Sequence, residues 1–185
     1  MAYDLIKAKR LMEEYWSAMD LPVGAHFDRT PERIVEMHRD SFLYAYDSEP
    51  DFRFTTFEGD YDQLIVQKEI AFSSWCGHHL LPFFGVAHIG YLPDGKIVGL
   101  SKLARVVAFV SRQPTTQEIL AEEIAQFLLV RLNPQALFVS LEAKHTCIMC
   151  RGAEAHGSIT VTNVCRGPLG LKQELKEEFT QIVRG

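Results

Sequence analysis

Apolar residues recur at spacings of three and four at both ends of the chain and at spacings nearer two in parts of its middle. Leu5, Met12, Tyr15, Trp16 and Met19 form a stripe over Tyr3–Leu21, which predicts an amphipathic helix broken by Pro22 and Gly24. Thr30 as N-cap, Pro31 at the first helical position and Glu32 in the first turn predict a second helix, with Ile34, Met37, Phe42 and Leu43 on its apolar side. Gln63–Phe72 is rich in β-formers, and Val86–Leu92 alternates ahead of a Pro93-Asp94-Gly95 turn, so both read as strands. Ser101 opens a helix with the stripe Leu103, Val106, Val107 and Val110, which Pro114 ends. Thr115 or Thr116 caps the next, which turns Ile119, Leu120, Ile124, Phe127 and Leu128 inward and closes at Asn133-Pro134. Ala136–Ala143 and Ser158–Val164 read as two further strands, and Leu171–Val183 as a terminal helix with Leu175, Phe179 and Ile182 on one side.

Two helices, two strands, two helices, two strands and one helix make an α+β chain. Strand pairs joined by short links pair antiparallel, so the sheet is expected to be antiparallel. No repeat or linker divides the chain; it reads as one domain, with a helical segment over 1–50 ahead of a sheet-bearing region over 51–185. The 185 residues are 47% apolar and 23% charged, an ordinary globular balance. A net charge of −5 argues against a broad nucleic-acid face. It leaves room for a nucleotide ligand, because a few placed Arg and Lys suffice for a triphosphate. No apolar run approaches the ~20 residues that span a bilayer, and Met1–Arg10 lacks the pattern of a secretory signal. The expected location is the cytoplasm, with no membrane and no nucleic acid as partner. There the four cysteines suggest metal ligation or reduced thiols before disulfides.

Cys76-Gly77-His78-His79 follows one predicted strand, and His145-Thr146-Cys147 follows another. Thiolate and imidazole suit zinc, and a catalytic site keeps three protein ligands with the fourth position open to water. Cys76 and His79, three apart in a turn, can converge on one ion, and Cys147 can complete the set if its strand lies beside theirs. Two other readings stand beside this one. The cysteines can be buried thiols with surface histidines nearby, or Cys150 can be the fourth ligand of a closed structural site.

The stretch Phe72–Gly85, reading FSSWCGHHLLPFFG, resembles the C-E-H-H-x-x-P-F-x-G signature of the GTP cyclohydrolase I family. Ile97–Arg105 resembles its V-I-G-L-S-K-x-x-R segment, and Gln117-Glu118 its V-Q-E-R helix start. His145-Thr146-Cys147 with Arg151-Gly152 resembles its H-x-C-x-x-x-R-G, and Thr30-Pro31-Glu32-Arg33 its T-P-x-R. The five motifs fall in the family's order from about Arg29 to the C-terminus.

The resemblance implies the tunnelling fold: a four-stranded antiparallel sheet with two helices between the strand pairs, plus N-terminal helices and a C-terminal helix. It implies a homo-oligomer of stacked rings, typically a decamer of two pentamers. The implied reaction is hydrolysis of GTP at C8, loss of formate, rearrangement of the ribose and closure to 7,8-dihydroneopterin triphosphate, with no organic cofactor. Cys76, His79 and Cys147 match the ligands of zinc, or of another divalent ion. His78 and His145 match active-site histidines that move protons, and Ser101 matches a hydroxyl near the ribose, while also suiting a helix N-cap. Lys102, Arg105 and Arg151 match triphosphate contacts, with Arg33 acting from a neighbouring subunit. Gln117 matches a substrate-binding position, and Glu118 the carboxylate that reads the guanine edge.

Two positions depart from the family. Gly77 stands where a Glu is usual, which removes a carboxylate beside the metal ligands. Glu36 stands where some members carry Lys, and a carboxylate there opposes triphosphate binding unless it faces away. A pyruvoyl-tetrahydropterin synthase type of enzyme would use an all-histidine zinc site, against which Cys76 and Cys147 speak. A non-catalytic zinc-stabilised ring is the rival from another class.

Overall fold

The computed structural model describes residues 4–42 and 50–185, with the side chains of 169–172 left aside. Tyr3 and Leu43, expected on the first two helices, lie outside the described residues, as does the side chain of Leu171. The chain divides into two compact units, residues 1–48 and 49–185.

The first unit is a helical hairpin of α1 (Leu5–Ala18) and α2 (Thr30–Phe42). The Asp4 carboxylate caps α1 by accepting from the Lys7 backbone N–H at 2.9 Å. Pro31 and Val35 are the buried residues of α2. Met37, expected on the inner face, is exposed, as are Tyr15 of α1 and Met19 at its C-cap, because the hairpin fully buries only Pro31 and Val35 of α2 and half-buries one side of α1. Lys9 Nζ lies 2.7 Å from Glu32 and 3.1 Å from Glu36. The Glu36 carboxylate is therefore paired within the hairpin.

The second unit runs β1 (Thr56–Glu58), β2 (Ile65–Cys76), β3 (Pro82–Leu92), β4 (Lys96–Val98), α3 (Leu100–Val110), β5 (Pro114–Thr115) and α4 (Gln117–Leu132). It continues through β6 (Ala136–His145), α5 (Thr146–Met149), β7 (Thr160–Arg166) and α6 (Leu169–Arg184). Its main sheet has the order β5-β2-β3-β6-β7. The four long strands pair antiparallel, and the two-residue β5 joins β2 in parallel. The four-stranded antiparallel sheet with two helices between strand pairs, as a tunnelling-fold subunit requires, is present. The short β1–β4 pair, β5 and α5 lack a periodic signal because each is too short to carry one.

One irregularity sets which side chains face inward. Gln67 stands opposite Ile89 and Ile70 opposite Ala87, so β2 carries one more residue than β3 across that step. Glu69 takes the extra turn at φ +61°, and its backbone N–H donates to His88 Nδ1 at 3.3 Å. The bulge reverses the pleat beyond it, so that Ile70, Phe72, Ser74 and Cys76 turn to the buried face. A plain ladder would have presented Glu69, Ala71, Ser73 and Trp75 there.

The buried face packs against α3 and α4. Leu103, Val106, Val107 and Val110 of α3 meet Leu120, Ile124 and Leu128 of α4 over Phe83, Ala87, Ile89, Leu141 and Val139. Ile119, expected inward, is half exposed. It lies in the first turn of α4, where the Thr116 hydroxyl accepts its backbone N–H and caps the helix. Asn133 closes α4 in the left-handed conformation. On the opposite face α6 lays Phe179, with Leu175 and Val183, over Leu92, Ala136 and Phe138. Ile182, expected with them, is 39% exposed, and Val183 takes its place. Among the described residues no helix is long and apolar enough to cross a membrane.

Gly85 lets β3 and β6 approach. A Cβ built there would sit 1.8 Å from the Glu142 carbonyl oxygen and 2.7 Å from Ala143 Cα, both backbone. Gly85→Ala must push the two strands apart, and is expected to destabilise the protein by about 1–3 kcal/mol. Chemical denaturation of the variant against the parent checks this, and an unchanged midpoint would show that the strands yield at no cost.

Candidate active site

The turn after β2 is held by its own backbone. Cys76 N–H donates to Leu81 O at 2.8 Å, Leu80 N–H donates to Cys76 O at 2.8 Å, and Leu80 adopts φ +51°. Gly77 N–H donates to Thr115 O at 2.9 Å, which ties the turn to β5. A Cβ on Gly77 would meet the Thr115 backbone at 3.6 Å, an ordinary contact. The backbone therefore does not require glycine at 77, and the missing carboxylate is a chemical departure.

Pairing of β3 with β6 carries the second motif to this turn. Phe83 stands opposite His145 in the ladder, and the Thr146 hydroxyl donates to Pro82 O at 2.6 Å, which anchors the start of α5. Potential ligand atoms of Cys76, His79 and Cys147 consequently lie within 4.8 Å of one another. Cys76 Sγ is 3.7 Å from His79 Nδ1. Two ligands on one tetrahedral zinc, at the usual zinc–sulfur and zinc–nitrogen lengths, stand roughly 3.5 Å apart. The donor set fits that ion, and three ligands leave a fourth position. Burial, together with the neighbouring Cys76 thiol, pushes the Cys147 thiol above its ordinary pKa. A thiol held in this way resists ionisation unless a cation compensates it. Cys150 stays outside the group: its thiol donates to Thr146 O at 2.8 Å.

The two other histidines border this cluster without joining it. His78 is exposed, with Nδ1 4.0 Å from Cys76 Sγ. His145 is half-buried and stacks on Phe83, with ring centroids 4.7 Å apart and planes 7° apart. Burial pulls the His145 pKa down, opposed by the Glu118 carboxylate. His145 Nε2 lies 2.7 Å from Gln117 Oε1. Gln117 is only 1% exposed, and its Nε2 donates to both Leu141 O and Thr160 O at 3.0 Å.

Glu118 is exposed at the first turn of α4. Its own backbone N–H and the Thr116 hydroxyl hold its carboxyl below the ordinary pKa, helped by the nearby His145 and His78. Ser101 lies exposed inside the first turn of α3, where Gly99 occupies the N-cap. The expected capping role of Ser101 therefore does not hold, because the N-cap falls two residues earlier, at Gly99. Lys102 and Arg105 are three apart on α3, half-buried and exposed respectively. Arg151 is exposed after α5, near enough to Cys147 to favour its thiolate. Arg33 is exposed on α2 in the first unit. Thr116, one of the two expected caps of α4, does cap it, whereas pattern reading gave no role to Phe83 and Thr146, whose partners are distant in sequence. The Phe in the turn motif was the one available signal.

A family model described as GTP cyclohydrolase I matches residues 10–184. The GTP cyclohydrolase 1 of Listeria monocytogenes serovar 1/2a is 40% identical over 169 residues, covering 88% of this chain and 89% of its own. The protein of the same name from Aquifex aeolicus is 39% identical over 188 residues and covers 100% of both chains. An apo crystal structure of an archaeosine synthase QueF-like protein overlaps 57% of this chain and 95% of its own, at 16% identity and a TM-score of 0.47.

Replacing Cys147 by Ser keeps the side chain's size and removes a soft ligand. Zinc affinity is expected to fall by more than the roughly 10–100-fold typical of losing an outer-shell partner, with helix content unchanged. Metal analysis after dialysis checks this. Full zinc occupancy in the variant would remove Cys147 from the ligand set.

Proposed function

Because this chain belongs to the GTP cyclohydrolase I family, we propose that it hydrolyses GTP at C8, releases formate and closes the rearranged product to 7,8-dihydroneopterin triphosphate. The observation that carries this reading is the gathering of Cys76, His79 and Cys147 beside His78 and His145, with the Glu118 carboxylate within their electrostatic reach. Cys76, His79 and Cys147 would hold one zinc ion, which when bound supplies Lewis acidity for activating water near neutral pH.

The remaining chemistry belongs to side chains. Opening the imidazole ring requires a proton at the departing ring nitrogen as charge builds there. Imidazole is suited to deliver it, which gives His78 and His145 their roles. Burial holds the His145 pKa below its ordinary value, so that its protonated form gives up the proton readily. The Ser101 hydroxyl relays a proton during rearrangement of the ribose. Lys102, Arg105 and Arg151 bind the triphosphate, guanidinium forks matching phosphate oxygens in pairs. Glu36, being paired with Lys9, does not present a free carboxylate to that anion.

Assembly into stacked rings, a decamer of two pentamers, belongs to the same proposal, with Arg33 reaching the triphosphate of a neighbouring subunit. In support, among the described residues β7 is paired on one side only, and β2 beyond its bond to β5 has a free edge. Such edges are templates for strand pairing with another copy. A cytoplasmic location accords with this chemistry.

Incubating the zinc-loaded protein with GTP and measuring formate, together with the fluorescent pterin formed on oxidation, tests the reaction. Stoichiometric release of both is expected, and release of neither would leave a zinc-stabilised binding protein.

Base recognition has its own test. Guanine presents N1–H and the 2-amino group as adjacent donors, and an ionised carboxylate can accept both, whereas adenine places an acceptor at N1. The backbone and Thr116 contacts that keep Glu118 ionised also pre-set its geometry. Glu118→Gln puts an NH2 against one of the guanine donors and leaves a group unpaired, at about 1–3 kcal/mol. GTP affinity measured by calorimetry should fall roughly 5–100-fold on that scale, with zinc content intact. Equal affinity in parent and variant would place base recognition elsewhere.

A further inference from the structure

Gln117 is buried, at 1% exposure, and every polar group of its amide has a partner within the protein. Its Nε2 faces the carbonyl oxygens of Leu141 and Thr160, each at 3.0 Å. Carbonyl oxygens only accept, so the amide nitrogen must be the atom that meets them. A flipped amide would set its own oxygen against two others. That orientation leaves Oε1 toward His145 Nε2, 2.7 Å away. An amide oxygen also only accepts, so His145 must donate from Nε2. Its neutral ring then carries its lone pair on Nδ1. Rotating the ring by half a turn would put a carbon where Nε2 meets the amide and lose the bond. Phe83, fully buried and stacked 4.7 Å away, holds the ring plane.

We propose that Gln117 is a positioning residue that holds His145 in the Nε2–H tautomer and so leaves Nδ1 as the ring nitrogen open to the reaction. The backbone of two strands enforces the arrangement: Leu141 lies on β6 and Thr160 on β7, and these residues are not the pair that face each other in the ladder. Thr160 O and Leu141 O converge on one amide because β6 and β7 lie side by side. The tautomer is thus set by sheet pairing, through an amide with no hydrogen left to give a substrate. Gln117 acts on the reaction through His145. The kinetic part of this inference rests on the proposed GTP hydrolysis; the tautomer itself does not.

The test uses zinc-loaded protein with 15N-labelled histidine rings, the His145 signals being identified by their loss in His145→Ala. The spectrum of the neutral ring is expected to show the proton on Nε2, and a proton on Nδ1 would overturn the proposal. Gln117→Met removes acceptor and donors together, whereas Gln117→Glu, protonated on the oxygen that faces the Leu141 and Thr160 carbonyls, keeps one donor and an acceptor for His145. The Met variant is expected to show mixed tautomers and a kcat lower by about 10–100-fold, the scale of outer-shell partners, with KM within about threefold. Glu should restore most of that loss, since it can still accept from Nε2. In a His145→Ala background, Gln117→Met should add less than about threefold, because its effect passes through the missing ring. A raised KM at constant kcat would show that Gln117 contacts substrate instead, and an unchanged tautomer in Gln117→Met would also overturn the proposal. If Gln117→Met does not fold, the parent spectrum and the Glu variant still decide the matter. If the parent releases no formate from GTP while its ring carries the Nε2 proton, the proposed reaction fails and the tautomer assignment stands.

Discussion

Everything at the candidate site depends on the antiparallel ladder between β3 and β6. That ladder places Phe83 opposite His145, so the turn that follows β2 and the short helix that follows β6 emerge at the same end of the sheet. Cys76 and His79 come from the first, Cys147 from the second, 68 residues or more away along the chain. The ladder closes tightly because Gly85 has no Cβ to strike the Glu142 carbonyl. Backbone hydrogen bonds make this register stiff, and the turn and short helix that carry the cluster are anchored to it through the Cys76–Leu81 and Thr146–Pro82 hydrogen bonds.

A second constraint acts through the pleat. Alternation along a strand means that one extra residue exchanges its two faces, and the bulge at Glu69 supplies that residue. Cys76 is buried beside Cys147 only because the exchange has happened seven residues earlier. The bulge stores some strain, since Glu69 occupies a left-handed conformation that favours glycine. Burial then acts on the Cys147 thiol chemically. It disfavours the isolated thiolate and strengthens the demand for a cation, so packing and metal affinity are coupled at one place.

Charge is distributed to similar effect. The chain is acidic overall, yet the family motifs carry the basic residues Lys102, Arg105 and Arg151. Glu36, the carboxylate that opposes such binding on sequence grounds, is paired with Lys9. This pairing crosses a helical hairpin, between residues 27 apart, and motif comparison has no means of registering it.

The amino-acid sequence by itself determined the long elements, because β-formers concentrate in Gln63–Phe72 and periods of two and of three to four repeat in Val86–Leu92, Leu103–Val110 and Leu120–Leu128. It also determined the ligand types and the family resemblance, since Cys76, His79 and Cys147 stand in motifs whose order survives in the primary chain. Tertiary structure alone decided the rest. The bulge at Glu69, the position of Gln117 under His145 and the stacking of Phe83 on that ring are relations between residues on different strands, and no local pattern encodes them. For the same reason Ile119 and Ile182, apolar at plausible spacings, stay partly exposed while Val183 is packed. Periodicity says that a helix has a buried side, but which residues occupy it is settled by the shape of the sheet it meets.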